Sequence, residues 1–236
     1  MDVLKNKRIM VVVAHPDDEV LGLGATMHNI IQSNGCTIRA VILGEGITSR
    51  SEKRDVKQWE QELTIHRANI FKAQNSIGYE SVGIYDLPDN RFDTIALLDL
   101  VKIIEKEKND FNPEIIFTHH GGDVNIDHQR TFESVITACR PLPEERVKTI
   151  VTFETFSGTE WRSSTDPRHF IPNFFVSISK ENLEAKVRAM EAYEFEKRSY
   201  PHPRSPEALE IAARRWGIVI GTDYAEAFTI ARIIYK

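Results

Sequence analysis

Cysteine is nearly absent: 236 residues contain two, Cys36 and Cys139. Two are too few for a disulfide framework and suit a reducing compartment. Neither has Cys/His company at ligand spacing, so both read as buried free thiols rather than metal ligands. Long apolar runs are missing too, and no stretch approaches the length of a membrane span. Lys5, Lys7 and Arg8 precede an apolar run too short for a signal-peptide core, with no small-residue cleavage site after it. A cytoplasmic protein is therefore expected. There is no block of Lys/Arg, and the formal charge is −5. Without a phosphate-tracking basic stripe, general nucleic-acid binding is excluded. Lys53-Arg54 and Arg214-Arg215 are isolated pairs on solvated surface. No repeat, low-complexity tract or linker marks a boundary, so residues 1–236 are expected to form a single domain.

What is present is an ordinary globular composition with one unusual stretch. Ile9-Met10-Val11-Val12-Val13 runs without a polar break, as a strand buried on both faces of a parallel sheet does. It ends in Ala14-His15-Pro16-Asp17-Asp18-Glu19. Val20, Leu21, Leu23, Met27, Ile30 and Ile31 then recur at helical spacing until Asn34-Gly35. With the strand at 37–43, this makes one right-handed βαβ unit. Ligands of open α/β sheets bind beyond the carboxyl ends of the strands, where the acidic turn lies.

Further on, helices are expected over 59–76, 94–108, 127–139, 180–197 and 207–216. Strands are expected over 82–85, 114–118, 147–153, 173–179 and 227–234. Asp93 and Asp127 read as N-caps. The predicted fold class is α/β: a Rossmann-like three-layer fold, with a mostly parallel sheet and helices on both faces. Arg50 lies in a polar loop at the same sheet end as the acidic turn. Trp161 lies in the long loop 154–172, a length that usually signals function or disorder. Between them comes a second unusual stretch, His119-His120-Gly121-Gly122-Asp123-Val124-Asn125-Ile126-Asp127-His128. It repeats the first pattern: buried strand, turn rich in His and Asp, helix start. Two such turns open at one sheet edge and can face each other across a cleft.

An acidic helix start by itself explains Asp17, Asp18 and Glu19 through the helix dipole. It does not explain a histidine that ends a buried strand. His15, Asp18 and His128 supply two imidazoles and one carboxylate, a common protein contribution to catalytic zinc. Iron, cobalt and manganese also accept nitrogen and oxygen ligands. Adjacent side chains at 17 and 18 diverge, so Asp18 is assigned to the metal and Asp17 to the attacking water as general base. Asp127 is either a cap or an outer partner that orients a ligand histidine.

Ala14-His15-Pro16-Asp17-Asp18-Glu19 followed by Asp127-His128 resembles the PIG-L/LmbE-like family of metal-dependent N-acetyl sugar deacetylases. Weaker similarity runs through Thr48-Ser49-Arg50, Arg67 with Ala73 and Ile77-Gly78, Pro203-Arg204-Ser205 and Ala225-Glu226-Ala227-Phe228. The resemblance implies the Rossmann-like fold, a divalent metal (usually zinc) on His15, Asp18 and His128, and Asp17 as base. It also implies hydrolysis of an acetamide on a glucosamine-like sugar, free or as a nucleotide, lipid or thiol conjugate. The 87–93 stretch is similar to bacterial members of surface-sugar biosynthesis. Many members carry a histidine where this chain has Asn125. An asparagine can donate a hydrogen bond to an oxyanion but cannot deliver a proton. Either Asp17 performs both proton transfers, or His119, His120 or His202 substitutes. Arg50, Arg67, Trp161, His202 and Arg204 are the candidates for holding the sugar or an attached phosphate. Homo-oligomers are compatible with this reading. Its rivals are a deacetylase or amidase of thiol-sugar conjugates, a nucleotide-binding module and a non-catalytic sugar-binding subunit. Two carboxylates after strand one, and no Gly-x-Gly-x-x-Gly turn there, speak against a bound pyrophosphate. A serine triad is disfavoured, because no Gly-x-Ser-x-Gly elbow is present.

Overall fold

β-Branched and aliphatic runs without a polar break can be buried only if both of their faces are covered. β1 (Arg8–Val13) shows the consequence: Ile9 to Val13 are all fully buried. Ile9, Val11 and Val13 face one apolar layer, and Met10 and Val12 face the other. The computed structural model describes residues 3–235. Its seven strands form one sheet. They are β1, β2 (Thr37–Gly44), β3 (Ser81–Leu87), β4 (Ile115–His119), β5 (Thr149–Phe153), β6 (Phe174–Ile178) and β7 (Tyr224–Ile233). The order across the sheet is β3-β2-β1-β4-β5-β7-β6. The first five are parallel, and β7 runs antiparallel to both β5 and β6.

Among the described residues six helices cover the faces: α1 (Asp18–Asn34), α2 (Glu60–Ile77), α3 (Leu97–Phe111), α4 (Ile126–Ala138), α5 (Lys180–Ala192) and α6 (Pro206–Ile220). Apolar residues of α1, α2, α5 and α6 pack into one layer, and those of α3 and α4 into the other. β1 pairs with β2 on one side and with β4 on the other, so successive connections leave β1 in opposite directions. The crevice at that reversal lies between the carboxyl ends of β1 and β4, the usual ligand position in such sheets. Both His- and Asp-rich turns open there.

The differences from the sequence expectation have local causes. Asp93 lies in a single 3₁₀ turn over Phe92–Thr94, and α3 starts later, with Ala96 at its N-cap. Asp127 is not a cap either. The Asn125 side chain accepts from Asp127 N–H and takes the cap position, so the Asp127 carboxylate is available to other partners. α5 stops at Ala192 rather than Lys197, because Tyr193 leaves the helix to donate its hydroxyl to Glu19 Oε1 at 2.5 Å. α6 continues past Trp216 to Ile220 through Gly217, where a Cβ would lie 2.5 Å from Thr222 O. That glycine serves a close backbone approach rather than a helix end.

α1 is broken internally. Leu23 has φ −153° and ψ 22°, which removes part of the i→i−4 ladder. The groups released are satisfied from outside the helix: Lys186 Nζ donates to Leu21 O at 2.7 Å, and Thr26 N–H donates to Glu226 Oε2 at 2.7 Å. Lys186 and Glu226 also pair with each other at 2.5 Å. A buried ion pair thus holds the kink of the helix that presents Asp17 and Asp18.

Candidate active site

The turn after β1 is shaped by Asp17, the N-cap of α1, whose φ of 106° lies where non-glycine residues rarely sit. Strain of this kind needs surrounding contacts to hold it, and it concentrates at functional sites. Here Arg204 Nη1 donates to Asp17 Oδ2 at 2.9 Å, while Asp17 N–H donates to Glu19 Oε2 at 3.2 Å. Asp18 turns the opposite way. Its Oδ2 accepts from His15 N–H at 2.7 Å and lies 3.4 Å from both His15 Nδ1 and His128 Nε2. The divergence expected of adjacent side chains is therefore present.

His15 and His128 each carry a carboxylate behind the ring. His15 Nε2 bonds Asp127 Oδ2 at 2.9 Å. Asp127 is itself fixed by Phe92 N–H at 2.8 Å and Asn90 N–H at 2.6 Å. His128 Nδ1 faces Asp123 Oδ2 at 3.2 Å, and that carboxylate accepts from Thr159 Oγ1 at 2.5 Å and Asn125 N–H at 2.8 Å. A carboxylate behind each imidazole selects the tautomer that leaves the near nitrogen as a lone pair. His15, Asp18 and His128 offer three ligand atoms within 4.8 Å of one another. Two nitrogens and one oxygen, backed this way, fit a divalent metal of the zinc type. His15, Asp89 and Asp127 also converge, but Asp127 is already committed to His15 Nε2 and two backbone donors, and Asp89 Oδ2 to Ser49 N–H.

The charge balance agrees with that donor set. Burial pushes His15 and His128 down, yet the facing carboxylates outweigh it, holding His15 well above its ordinary range and His128 at about 9. Burial would raise Asp18, but the neighbouring imidazoles hold it well below the usual carboxylate range. The centre stabilises positive charge beside an ionised Asp18. Asp17 goes the other way: burial raises its pKa well above normal, and Arg204 only partly opposes this. The two neighbouring carboxylates are thus shifted in opposite directions by their surroundings.

Beside these groups lies a pocket of about 180 Å³, whose lining includes His15, Asp17, Asn125, His128, Arg50 and Arg204. Of the five predicted sugar-holding residues, Arg50 and Arg204 therefore reach the pocket. The other three do not line it. Arg67 pairs with Asp86 on the surface, Trp161 is 59 % exposed, and His202 Nδ1 accepts from Arg204 N–H. His119 is fully buried, accepting from Ala14 N–H and bonding Thr155 Oγ1 through Nδ1, and burial lowers its pKa to about 4. It stacks on His128 at 3.9 Å between centroids. His120 bonds Arg168 O and is likewise absent from the pocket wall.

The sequence reading missed Asp123, Glu196, Asp89 and His66. Asp123 lies within the polar stretch after β4, five residues before His128, a spacing that is a usable signal. Glu196, which salt-bridges both Arg50 and Arg204, lay in what read as the end of a helix. Asp127 does orient a histidine, but it is His15, supplied by the other turn.

Fold and site together define a class: Rossmann-like α/β proteins with two carboxylate-backed histidines and an acidic pair at the β1/β4 crevice. A family profile described as "PIG-L: GlcNAc-PI de-N-acetylase" matches residues 10–139. The chain belongs to the PIG-L family and is an N-deacetylase of that family. It is 26 % identical over 200 residues to the "Uncharacterized deacetylase YaiS" of Escherichia coli K12, covering 80 % of this chain and 91 % of that one. Among solved structures it resembles N,N'-diacetylchitobiose deacetylase from Pyrococcus horikoshii, with TM-score 0.71, 20 % identity, and 96 % and 84 % of the two chains covered. It also resembles GalB, the 4-carboxy-2-hydroxymuconate hydratase from Pseudomonas putida KT2440, with TM-score 0.71, 19 % identity, and 98 % of each chain covered. A hydratase on this fold shows that the fold alone does not fix the reaction.

Proposed function

We propose that the chain is a zinc-type metal-dependent hydrolase that removes the acetyl group from an N-acetylglucosamine-type sugar. The observation that carries this reading is the convergence of His15 Nδ1, Asp18 Oδ2 and His128 Nε2 beside buried Asp17, at a pocket whose lining adds Asn90, Asn125, Ser49 and Ser157 to its charged groups. A bound metal would polarise the acetamide carbonyl and acidify water. The protein's own groups do the rest. Asp17 takes a proton from the attacking water as its oxygen bonds the carbonyl carbon. Asn125 keeps its Nδ2 protons for the developing oxyanion, since its Oδ1 is used by Asp127 N–H. As the C–N bond breaks, Asp17 returns its proton to the leaving amine, giving acetate and the free amino sugar. His119, His120 and His202 line no part of the pocket, which supports one group performing both transfers.

The carrier of the sugar also follows from charge. Arg50 and Arg204 are already paired with Glu196, and Arg204 with Asp17 as well. A pyrophosphate entering the pocket would meet Asp17, Asp89 and Glu196 and no uncommitted guanidinium. An uncharged sugar or glycoside fits better than a nucleotide conjugate. The test is metal analysis of the purified protein coupled to acetate release over N-acetyl sugars and their nucleotide conjugates. Bound zinc with release from the uncharged sugars is expected; no metal and no release would undo the reading.

Asp123→Asn and Asp127→Asn are each expected to weaken metal affinity by about 10–100-fold, because each removes the charge behind a ligand imidazole. Chelator competition reads this directly. Unchanged affinity in both variants would mean that the metal is held elsewhere.

A further inference from the structure

His66 of α2 is a buried polar group outside the cluster of His15, Asp18 and His128. It is 1 % exposed, and neither ring nitrogen has a hydrogen-bond partner. Its ring is held edgewise against Tyr193 at 5.8 Å and Phe195 at 6.2 Å between centroids, contacts that fix its orientation and satisfy no proton. It forms part of the wall of the candidate active-site pocket. Buried polar atoms are nearly always paired, so an imidazole left with both valences open beside a ligand pocket calls for a partner from the ligand.

The backbone in front of His66 supports this. Gly46 also lines the pocket, and a Cβ there would lie 3.0 Å from His66 Nε2. Its φ of +66° suits glycine, and any side chain there would close on Nε2 from the pocket side. Burial, helped by the Arg50 charge, pushes His66 down to about 4, so near neutral pH the ring is uncharged. A neutral imidazole presents one donor and one acceptor, and a sugar hydroxyl can use either.

We propose that His66 is a specificity-determining residue that hydrogen-bonds one ring hydroxyl of the bound amino sugar through a ring nitrogen that has no partner in the protein. The nature of the ligand rests on the deacetylase reading above; the role of the histidine rests on its open valences and position. It takes no part in proton transfer, and its effect falls on which sugar is accepted. A site built around a hydroxyl discriminates strongly against the analogue that lacks it.

The test is a cycle between His66→Phe and the 3-, 4- and 6-deoxy analogues of N-acetylglucosamine, using the metal-loaded full chain. Where acetate is released the readout is kcat/KM; where it is not, the readout is Kd by calorimetry. Wild type is expected to lose about tenfold against one deoxy analogue, and His66→Phe to lose about tenfold on the parent sugar. In the variant, the discrimination between those two ligands should vanish. His66→Gln, which keeps a donor and an acceptor, should restore part of it. An equal loss over all four ligands, or none, overturns the proposal, since a merely structural role cannot single out one hydroxyl. Should His66→Phe fail to fold, imidazole ¹⁵N signals of the wild type replace it. The His66 signal must then move with the parent sugar and stay in place with one deoxy analogue. Sugar binding that couples to His66 without any acetate release would support the proposal and sink the deacetylase reading, so the two failures are distinct.

Discussion

Asp17→Asn is expected to lower kcat by about 10²–10⁴-fold, the usual contribution of a positioned general base, with bound metal retained. Asn is close to isosteric with Asp, and its Oδ1 can still accept from Arg204 Nη1, so the turn should survive. What it cannot do is take a proton from water. Asp17 lies outside the converging set of His15, Asp18 and His128, so metal content should match wild type. His15→Ala is the contrasting case: it removes one of those three donors and releases Asp127 from its 2.9 Å bond, so metal and turnover should fall together. Metal analysis beside acetate-release kinetics separates the two variants. An Asp17→Asn protein of full activity would remove Asp17 from the mechanism and leave Glu196 or an ordered water as the acceptor. The raised pKa of Asp17 bears on the proton-return step as well. A carboxyl that holds its proton more tightly than usual can keep it long enough to hand it to the departing amine.

Much of this centre could be read along the chain, because β1 and the turn after it are local. Five buried residues in a row fix the strand, and the residues that follow a strand must lie at its carboxyl end. The second half could be read for the same reason, since β4 and its polar turn repeat the pattern. Asp123, Glu196 and His66 could not be read that way. Each acquires its meaning from a partner far away: Asp123 from Thr159 across the long loop, Glu196 from Arg50 at 146 residues' separation, His66 from the rings of Tyr193 and Phe195. Periodicity placed His66 on a helix, but nothing in a helix pattern tells a surface histidine from one pressed against a pocket. The caps failed for a related reason. Asp93 and Asp127 are both good N-cap residues, yet at 127 the competing Asn125 stands two positions earlier and takes the site, and the Asp is used across the crevice instead. A propensity ranks residues at a position; it does not rank positions.

The second large effect is expected at a residue that does not line the pocket, at Lys186→Met. Lys186 and Glu226 are 4 % and 5 % exposed, and together they replace the hydrogen bonds that α1 loses at Leu23. Removing the ammonium leaves Glu226 charged in the interior with only Thr26 N–H for company, and leaves the Leu21 carbonyl without its donor. Breaking a buried pair from one side costs about 3–5 kcal/mol. The loss should appear as a lower urea midpoint with little change in slope. The double variant Lys186→Met, Glu226→Gln should recover part of it, because the stranded charge is gone and the Gln carbonyl can still accept from Thr26 N–H. What remains is the orphaned Leu21 carbonyl, about 1–3 kcal/mol for an unsatisfied buried acceptor. If Lys186→Met costs under about 1 kcal/mol, the kink is held by packing instead, with Gly22 against Phe153 the remaining cause: a Cβ on Gly22 would lie 2.2 Å from that ring. The distinction matters for the site. α1 begins at Asp18 and bends one and a half turns later, so whatever fixes the bend also fixes the direction from which Asp17 and Asp18 enter the crevice.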